Sequence, residues 1–427
     1  MQPDQLIEVL NRWNFWTQEQ ETGITRKKYL AAMTRFAKTQ QIVVVTGLRR
    51  TGKSTLMKQY IKQLIQQGGD PKNCLYINFE EPRFVDELNL NFLQHIYEVY
   101  LEQIKPEKGK CSLFLDEIQL VPGWEKFVRA LHEKNEASVF VSGSSAKLLS
   151  KEFATVLTGR HIDIMVFPLH FTEFLEFKGV GISSKLDLIS HKIKIKRLLQ
   201  EYLEYGGLPL VVLQQEKNSL LAAYVDDIIT KDVGLRHKIK KMDKLKSLTK
   251  FYLSNISALG SFRNIQRFLG ISLDSVERYS YYLQESYLIF LMNKFSYSLK
   301  EQEVNPKKLY CIDNGLKNTV SFRFSENIGQ LYENTVFLHL LQNKKEVYYW
   351  KGKGECDFVI KEGQKIVAAI QVTYALARKE EEIKSLLEAL HRFNLQEGIV
   401  ITSEEEGTDI REGKTIRYIP LWKWLLT

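Results

Sequence analysis

The chain has 427 residues, 44% of them hydrophobic and 26% charged, which is enough apolar material for two or three domains each to bury a core. A formal charge of +9, from 60 basic against 51 acidic side chains, permits a polyanionic partner without demanding one. Apolar stretches fall short of the roughly 18 residues that span a bilayer, and Met1-Gln2-Pro3-Asp4 lacks the basic and apolar regions of a secretory signal; the expected location is the cytoplasm, with no membrane attachment.

The first strong signal is the apolar run Ile42-Val43-Val44-Val45 leading into Gly47-Leu48-Arg49-Arg50-Thr51-Gly52-Lys53-Ser54. A strand running into a loop with glycine at both ends describes a phosphate loop. Gly47 and Gly52 let the backbone N–H groups around Arg50, Thr51, Gly52, Ser54 and Thr55 curl about phosphates; Lys53 neutralises the β/γ oxygens and the Ser54 hydroxyl ligates Mg²⁺. The side chains of Arg49 and Arg50 point either at nucleotide or at a neighbour. Leu56, Met57, Tyr60, Ile61 and Leu64 recur at helical spacing, so a helix starts at the phosphates and adds its N-terminal dipole. The expected ligands are ATP and Mg²⁺.

Further β-rich runs at 75–79, 113–115 and 139–142 alternate with helical stretches, which predicts a parallel sheet flanked by helices. The 113–115 run ends in Asp116-Glu117. At a strand's carboxyl end Asp116 holds Mg²⁺, directly or through its water shell, while Glu117 takes a proton from the attacking water. A phosphate-loop kinase has no need of such a glutamate, so Glu117 favours hydrolysis over transfer. Next come Ser142-Gly143-Ser144-Ser145, where Ser144 and Ser145 either sense the γ-phosphate or cap the helix beginning near Ala146. Leu157-Thr158-Gly159-Arg160 then places Arg160 in a tight turn, as an arginine finger reaching across a subunit boundary or as a surface residue. Cys74, Cys111, Cys311 and Cys356 form no C-x-x-C pair, which argues against a zinc site or a disulfide framework.

Residues 183–246 are helical and basic, most densely at 191–197 and again at Arg236, Lys238, Lys240, Lys241, Lys244 and Lys246. These faces are either solvated or contacts for phosphates or a partner. From Leu245 to Asp313 the order is a helix, 261–269, a Gly270 turn, 272–285, then strand-like 287–292 and 309–312, which describes a winged helix. Its second helix carries Asp274, Glu277 and Glu285 against Arg278 alone, a face that repels phosphates. Tyr279, Tyr281 and Tyr282 are packing or protein-contact residues, and Lys300, Lys307 and Lys308 remain available to touch a nucleic-acid backbone.

In the terminal part Glu333 lies on a helix at 331–341, Asp357 opens a strand at 358–360, and Gln371-Val372-Thr373 follows a strand at 366–370. This order resembles the PD-(D/E)XK nuclease fold, in which a helix Glu, a strand Asp and an E-x-K share a metal. The resemblance makes Glu333, Asp357 and Gln371 candidate metal ligands. Thr373 stands where the lysine belongs and supplies no cation to orient a nucleophile, unless Lys351, Lys353 or Lys379 substitutes from nearby.

Taken together, residues 47–54, 113–119, Gly143-Ser144-Ser145, Thr158-Gly159-Arg160, Phe167-Pro168-Leu169, Tyr205-Gly206-Gly207-Leu208-Pro209, Asp313-Asn314-Gly315-Leu316 and 329–374 resemble a known group. It is the prokaryotic AAA-type ATPases, related to archaeal and STAND-like ATPases, that carry a C-terminal domain of unknown function. The resemblance implies an α/β protein: an N-terminal helix and P-loop parallel-sheet ATPase core (1–180), a helical lid (181–245), a winged helix (246–313) and a restriction-endonuclease-like α/β domain (314–427). The expected function is ATP hydrolysis that drives or gates the attached module in a homo-oligomer, acting on DNA or another nucleic acid or on a protein partner. Two alternatives stay open: an ATP-dependent metal nuclease, and an ATP-gated switch that recruits a protein.

Overall fold

The computed structural model describes residues 1–107, 111–144, 157, 159–320, 328–374 and 379–427. They divide into two compact units, Met1–Val166 and Phe167–Thr427.

In the first unit β1 (Ile42–Thr46), β2 (Cys74–Asn78), β3 (Cys111–Asp116), β4 (Ala137–Gly143) and β5 (His161–Met165) form one sheet in the order β2-β3-β4-β1-β5, paired in parallel throughout. Every residue of β1 is buried, as a parallel strand covered on both faces must be. Its alternation divides two cores. Ile42 and Val44 face a cluster with α1 (Pro3–Asn11), α4 (Leu90–Val99) and α5 (Trp124–Glu133); Val43 and Val45 face one with α2 (Lys27–Ala37) and α3 (Lys53–Gln66). The four expected runs become β1 to β4. Strand β5 is an addition: His161-Ile162-Asp163-Ile164-Met165 carries little apolar signal because only Ile164 is fully buried.

The free edge of β2 is covered by the N-terminal segment. Asn14 Oδ1 accepts from the Tyr76 N–H at 2.7 Å, its Nδ2 donates to the Tyr76 carbonyl at 2.9 Å, and Trp16 Nε1 donates to the Cys74 carbonyl at 2.9 Å. Exposed strand edges otherwise invite another chain.

The second unit begins with α6 (Phe171–Phe177), α7 (Lys192–Tyr205), α8 (Lys217–Asp227) and α9 (Met242–Ser254). The basic run at 191–197 is helical as expected, because Ile195, Leu198, Leu199, Tyr202 and Leu203 share the buried face of α7. Then follow β6 (Leu259–Gly260), α10 (Phe262–Leu269), α11 (Leu273–Glu285), β7 (Ile289–Met292) and β8 (Lys307–Cys311), whose strands pair antiparallel as β6-β8-β7. On α11 Tyr279 is buried, Tyr282 stacks on His237 with ring centroids 3.6 Å apart, and Glu285 approaches His237 at 3.3 Å, so the acidic helix is used for packing.

Helix α12 (Asn314–Val320) and helix α13 (Ile328–Gln342) lead into a mixed sheet of β9 (Glu346–Lys351), β10 (Glu355–Glu362), β11 (Lys365–Val372), β12 (Glu397–Thr402), β13 (Gly407–Arg411) and β14 (Lys414–Pro420), in the order β13-β14-β12-β11-β10-β9. Helix α14 (Lys379–Arg392) packs on β10, β11 and β12 through Ile383, Leu386, Leu387 and Leu390. Two glycine-containing motifs far apart in sequence meet here. The buried Asp313 carboxylate accepts from the N–H groups of Gly207 at 2.7 Å, Gly315 at 2.9 Å and Leu316 at 3.2 Å. Gly206 has φ +74, and a Cβ there would lie 2.0 Å from Asp313 Oδ1, so glycine is required. All four cysteines are buried and unpaired with one another. No helix among the described residues is long and apolar enough to cross a membrane.

Candidate functional site

The loop after β1 closes by its own carbonyls. Lys53, only 5% exposed, donates from Nζ to the carbonyls of Gly47 and Leu48, both at 3.1 Å. Gly47 has φ +141, and any Cβ there would meet the Val166 carbonyl oxygen at 2.3 Å, so the loop needs glycine at this point. Gly52 is left-handed at φ +92, immediately before α3 begins at Lys53. The loop therefore delivers Lys53, Ser54 and Thr55 on the first turn of a helix, whose free N–H groups face the same way.

Ser54 lies near enough to the Asp116 carboxyl and the Tyr76 phenol to favour the ionised form of each. This juxtaposition crosses β4, which lies between β1 and β3 in the sheet. Asp116 is 1% exposed and closely held: Tyr76 donates to Oδ2 at 2.5 Å, and the Ser142 hydroxyl donates to Oδ1. Burial raises its pKa, Glu117 adds to the rise, and the hydrogen bonds from Ser142, Ser54 and Tyr76 oppose it. Such a buried carboxylate, with a serine hydroxyl close by, fits a hard divalent ion. Mg²⁺ is bound by oxygen donors of this kind, and Ser54 and Asp116 are the residues that would hold it.

Glu117 follows in the left-handed region at φ +54, ψ +40, a conformation a non-glycine residue adopts at a cost. Its N–H donates to Ser142 Oγ at 3.3 Å and its Oε2 accepts from Gln119 Nε2 at 2.5 Å. The turn thus swings the carboxylate off the strand direction while β4 and Gln119 fix it. Burial also lowers the pKa of Lys58, on α3, although Asp116 opposes this; its ammonium lies 4.9 Å from the Trp13 ring centroid.

Two supporting residues, Tyr76 and Arg26, left no local mark in the sequence, whereas Ser142 opens the Ser142-Gly143-Ser144-Ser145 run already singled out there. Tyr76 and Ser142 grip Asp116 from the flanking strands. Arg26, buried before α2, donates from a guanidinium nitrogen to the Thr51 carbonyl at 3.1 Å, and its own N–H donates to Gln59 Oε1 at 3.2 Å. Of the two arginines inside the loop, Arg49 pairs with Glu80 at 2.7 Å and Arg50 is exposed at φ +70.

The structure does not bring Arg160 to this site. It precedes β5, its carbonyl accepts from the Ile42 N–H at the amino end of β1, and its guanidinium lies 3.3 Å from Glu133. The phosphate loop is at the opposite, carboxyl end of β1. Ser144 is buried at the end of β4; Ser145 and Thr158 lie outside the described residues.

In the second unit Glu333 on α13, Asp357 on β10 and Gln371 on β11 do converge. Gln371 Oε1 accepts from the Asp357 N–H at 3.2 Å, and Asp357 Oδ2 accepts from the Val372 N–H at 2.9 Å. The expectation that Lys308 touches a nucleic-acid backbone is corrected: it is 1% exposed, and its ammonium lies 2.8 Å from both Glu333 Oε1 and Asp357 Oδ1. Lys308 sits on the inward face of β8, opposite the acids, while Lys300 is exposed and Lys307 donates to the Gln302 carbonyl at 2.6 Å. Among the described residues no group of three His, Cys, Asp or Glu side chains is arranged to hold a metal.

The model for an AAA domain matches residues 39–175, and two models for domains of unknown function match residues 196–327 (DUF8612) and 328–424 (DUF4143). The chain is 35% identical over 412 residues to the uncharacterized protein MJ1544 of Methanocaldococcus jannaschii, covering 91% of this chain and 88% of that protein. It is 32% identical over 410 residues to an uncharacterized protein of Haemophilus influenzae, covering 93% of this chain and 98% of that protein. Among solved structures, the Walker-type ATPase PABY2304 of Pyrococcus abyssi is similar at a TM-score of 0.44 and 12% identity, over 72% of this chain and 99% of that one, a likeness too slight to argue from. By the extent and identity of these sequence matches, the chain belongs to the family that includes the M. jannaschii and H. influenzae proteins, with an AAA-type P-loop ATPase domain that binds ATP followed by the DUF8612 and DUF4143 domains.

Proposed function

We propose that the protein hydrolyses ATP and uses the change of nucleotide state to drive or gate the module formed by its second unit. The observation that carries this reading is the placing of Asp116 at the carboxyl end of β3, held by Tyr76 and Ser142 in the same sheet whose β1 leads into the phosphate loop, with Glu117 directly after it. Water attacks the γ-phosphorus, the bond to the ADP oxygen breaks, and the water's proton passes to the Glu117 carboxylate. Lys53 exchanges its bonds to the Gly47 and Leu48 carbonyls for phosphate oxygens. Ser54 and Asp116 would hold a Mg²⁺ ion, which would supply neutralising charge to those oxygens. Ser144, just past the end of β4, and Ser145, next to it in sequence, are the proposed sensors of the γ-phosphate. Arg160 lies at the far end of its own sheet, so a finger role is open to it only at the site of a neighbouring subunit, which implies a homo-oligomer.

For the module, the order α9, β6, α10, α11, β7, β8 supports a winged helix, and the convergence of α13, β10 and β11 supports a nuclease-like domain. The acidic α11 disfavours reading of the major groove, so the load is better sought among protein partners as well as DNA. Glu117→Gln tests the whole reading: ATP binding is retained while steady-state turnover falls by about 100-fold or more. Unchanged turnover in this variant would sink the proposal.

A further inference from the structure

We propose that Lys308 is the resident cation of the acidic site formed by Glu333, Glu355 and Asp357, and that this site accordingly takes no divalent metal. The Lys308 ammonium lies 2.8 Å from Glu333 Oε1, 2.9 Å from Glu355 Oε1 and 2.8 Å from Asp357 Oδ1. The ammonium donates a hydrogen bond to Asp357 Oδ1 and has Glu333 and Glu355 within ion-pair distance, so three carboxylates surround its single charge. Further groups are engaged around it: Tyr310 donates to Glu333 Oε1 at 2.7 Å, Val372 N–H to Asp357 Oδ2 at 2.9 Å, and Gln371 Oε1 is turned to the Asp357 N–H.

A nuclease-like fold implies a divalent metal held by these acids. Such an ion binds carboxylate oxygens at about 2.0 to 2.6 Å, so it would have to occupy the volume where the Lys308 Nζ stands. Two cations do not share that space. Nor does Lys308 stand in for the missing lysine of the E-x-K motif, since three carboxylates surround its ammonium and its side chain is 2% exposed. Lys351 and Lys353, the other candidates on described side chains, are exposed. Thr373, where that motif calls for lysine, donates its N–H to the Ile401 carbonyl and is buried.

The arrangement has a mechanical meaning. Lys308 and Tyr310 project from the same face of β8, the central strand of the β6-β8-β7 sheet, and both end on Glu333 of α13. The side chain therefore fastens the three-stranded sheet to the terminal domain at the position where a nuclease would hold its metal. The module is built to bind or transmit, and it does not cut.

The test uses Mn²⁺ as probe, with nucleotide-free full-length protein and electron paramagnetic resonance to count bound ions. Wild type and Asp357→Asn are expected to bind Mn²⁺ equally. Lys308→Met gains one Mn²⁺ per chain, its melting temperature rises by about 5 °C at 100 times the Kd, and Asp357→Asn in that background removes both effects. The proposal is overturned by wild-type Mn²⁺ binding that Asp357→Asn abolishes, or by a folded Lys308→Met that gains no ion. Should Lys308→Met fail to fold, the comparison of wild type with Asp357→Asn decides alone. Each result is a difference between proteins that share the same phosphate loop, so a failure of the nucleotide reading leaves these differences as they are, which separates the two.

Discussion

The Tyr76 hydroxyl donates to Asp116 Oδ2 at 2.5 Å from the adjacent strand, and so a residue outside both nucleotide motifs sets the direction of the carboxylate proposed for the metal. Tyr76→Phe removes this bond and leaves the Ser142 hydroxyl to hold Asp116. The expected result is a roughly tenfold fall in kcat/KM for Mg-ATP, equivalent to about 1.4 kcal/mol, and a higher Mg²⁺ concentration for half-maximal turnover. Stability changes by about 1 kcal/mol, as for the loss of one hydrogen bond. A magnesium titration of the ATPase checks it; an unchanged half-point would show that Tyr76 is packing alone.

Glu117 sits at φ +54, where glycine would rest without strain. Glu117→Gly is expected to raise unfolding free energy by about 1 kcal/mol while abolishing turnover. Urea denaturation of the nucleotide-free protein, alongside the Glu117→Gln variant, reads the difference: glutamine keeps the strain and should match wild type.

Asp313 has its pKa raised from 3.8 to about 6, because burial outweighs the three backbone N–H groups that favour its charge. Its folded value exceeds its unfolded one. Its contribution to stability is therefore full below pH 3.8 and is lost as pH climbs through about 6. The loss is about 3 kcal/mol. Asp313→Asn lacks this titration, so the difference in unfolding free energy between the two proteins should shift by most of that amount, about 2.4 kcal/mol, from pH 4 to pH 7. A flat difference would mean that Asp313 does not change charge in that window.

Arg160→Ala breaks only a half-exposed contact with Glu133 and should cost under about 1 kcal/mol of stability. If Arg160 completes a neighbour's site, Arg160→Ala and Glu117→Gln proteins, each inactive alone, recover turnover when mixed, because some shared sites then hold both side chains. No recovery, with an oligomer present, would remove the finger role.

The nucleotide half of the molecule was legible because its chemistry is local. Gly47 to Ser54 carries loop, charge and helix start within one short segment, and Asp116-Glu117 marks the end of an unbroken apolar strand. What failed to show were partners distant in the chain. Arg26 reaches Thr51, Tyr76 reaches Asp116, and Lys308 reaches Asp357, and each pairing depends on strand order. Lys308 read as one of three wing lysines because charge alone does not reveal which side of β8 faces inward. β5 escaped because an edge strand half in solvent loses the apolar density that made β1 obvious.

Asn14 presents one acceptor and one donor to both backbone groups of Tyr76. In effect a single amide terminates the sheet as an incoming chain would extend it. Growth of the sheet by recruitment of another molecule is blocked at β2 by a group too short to offer a further edge, which confines any assembly of these subunits to surfaces other than strand addition there.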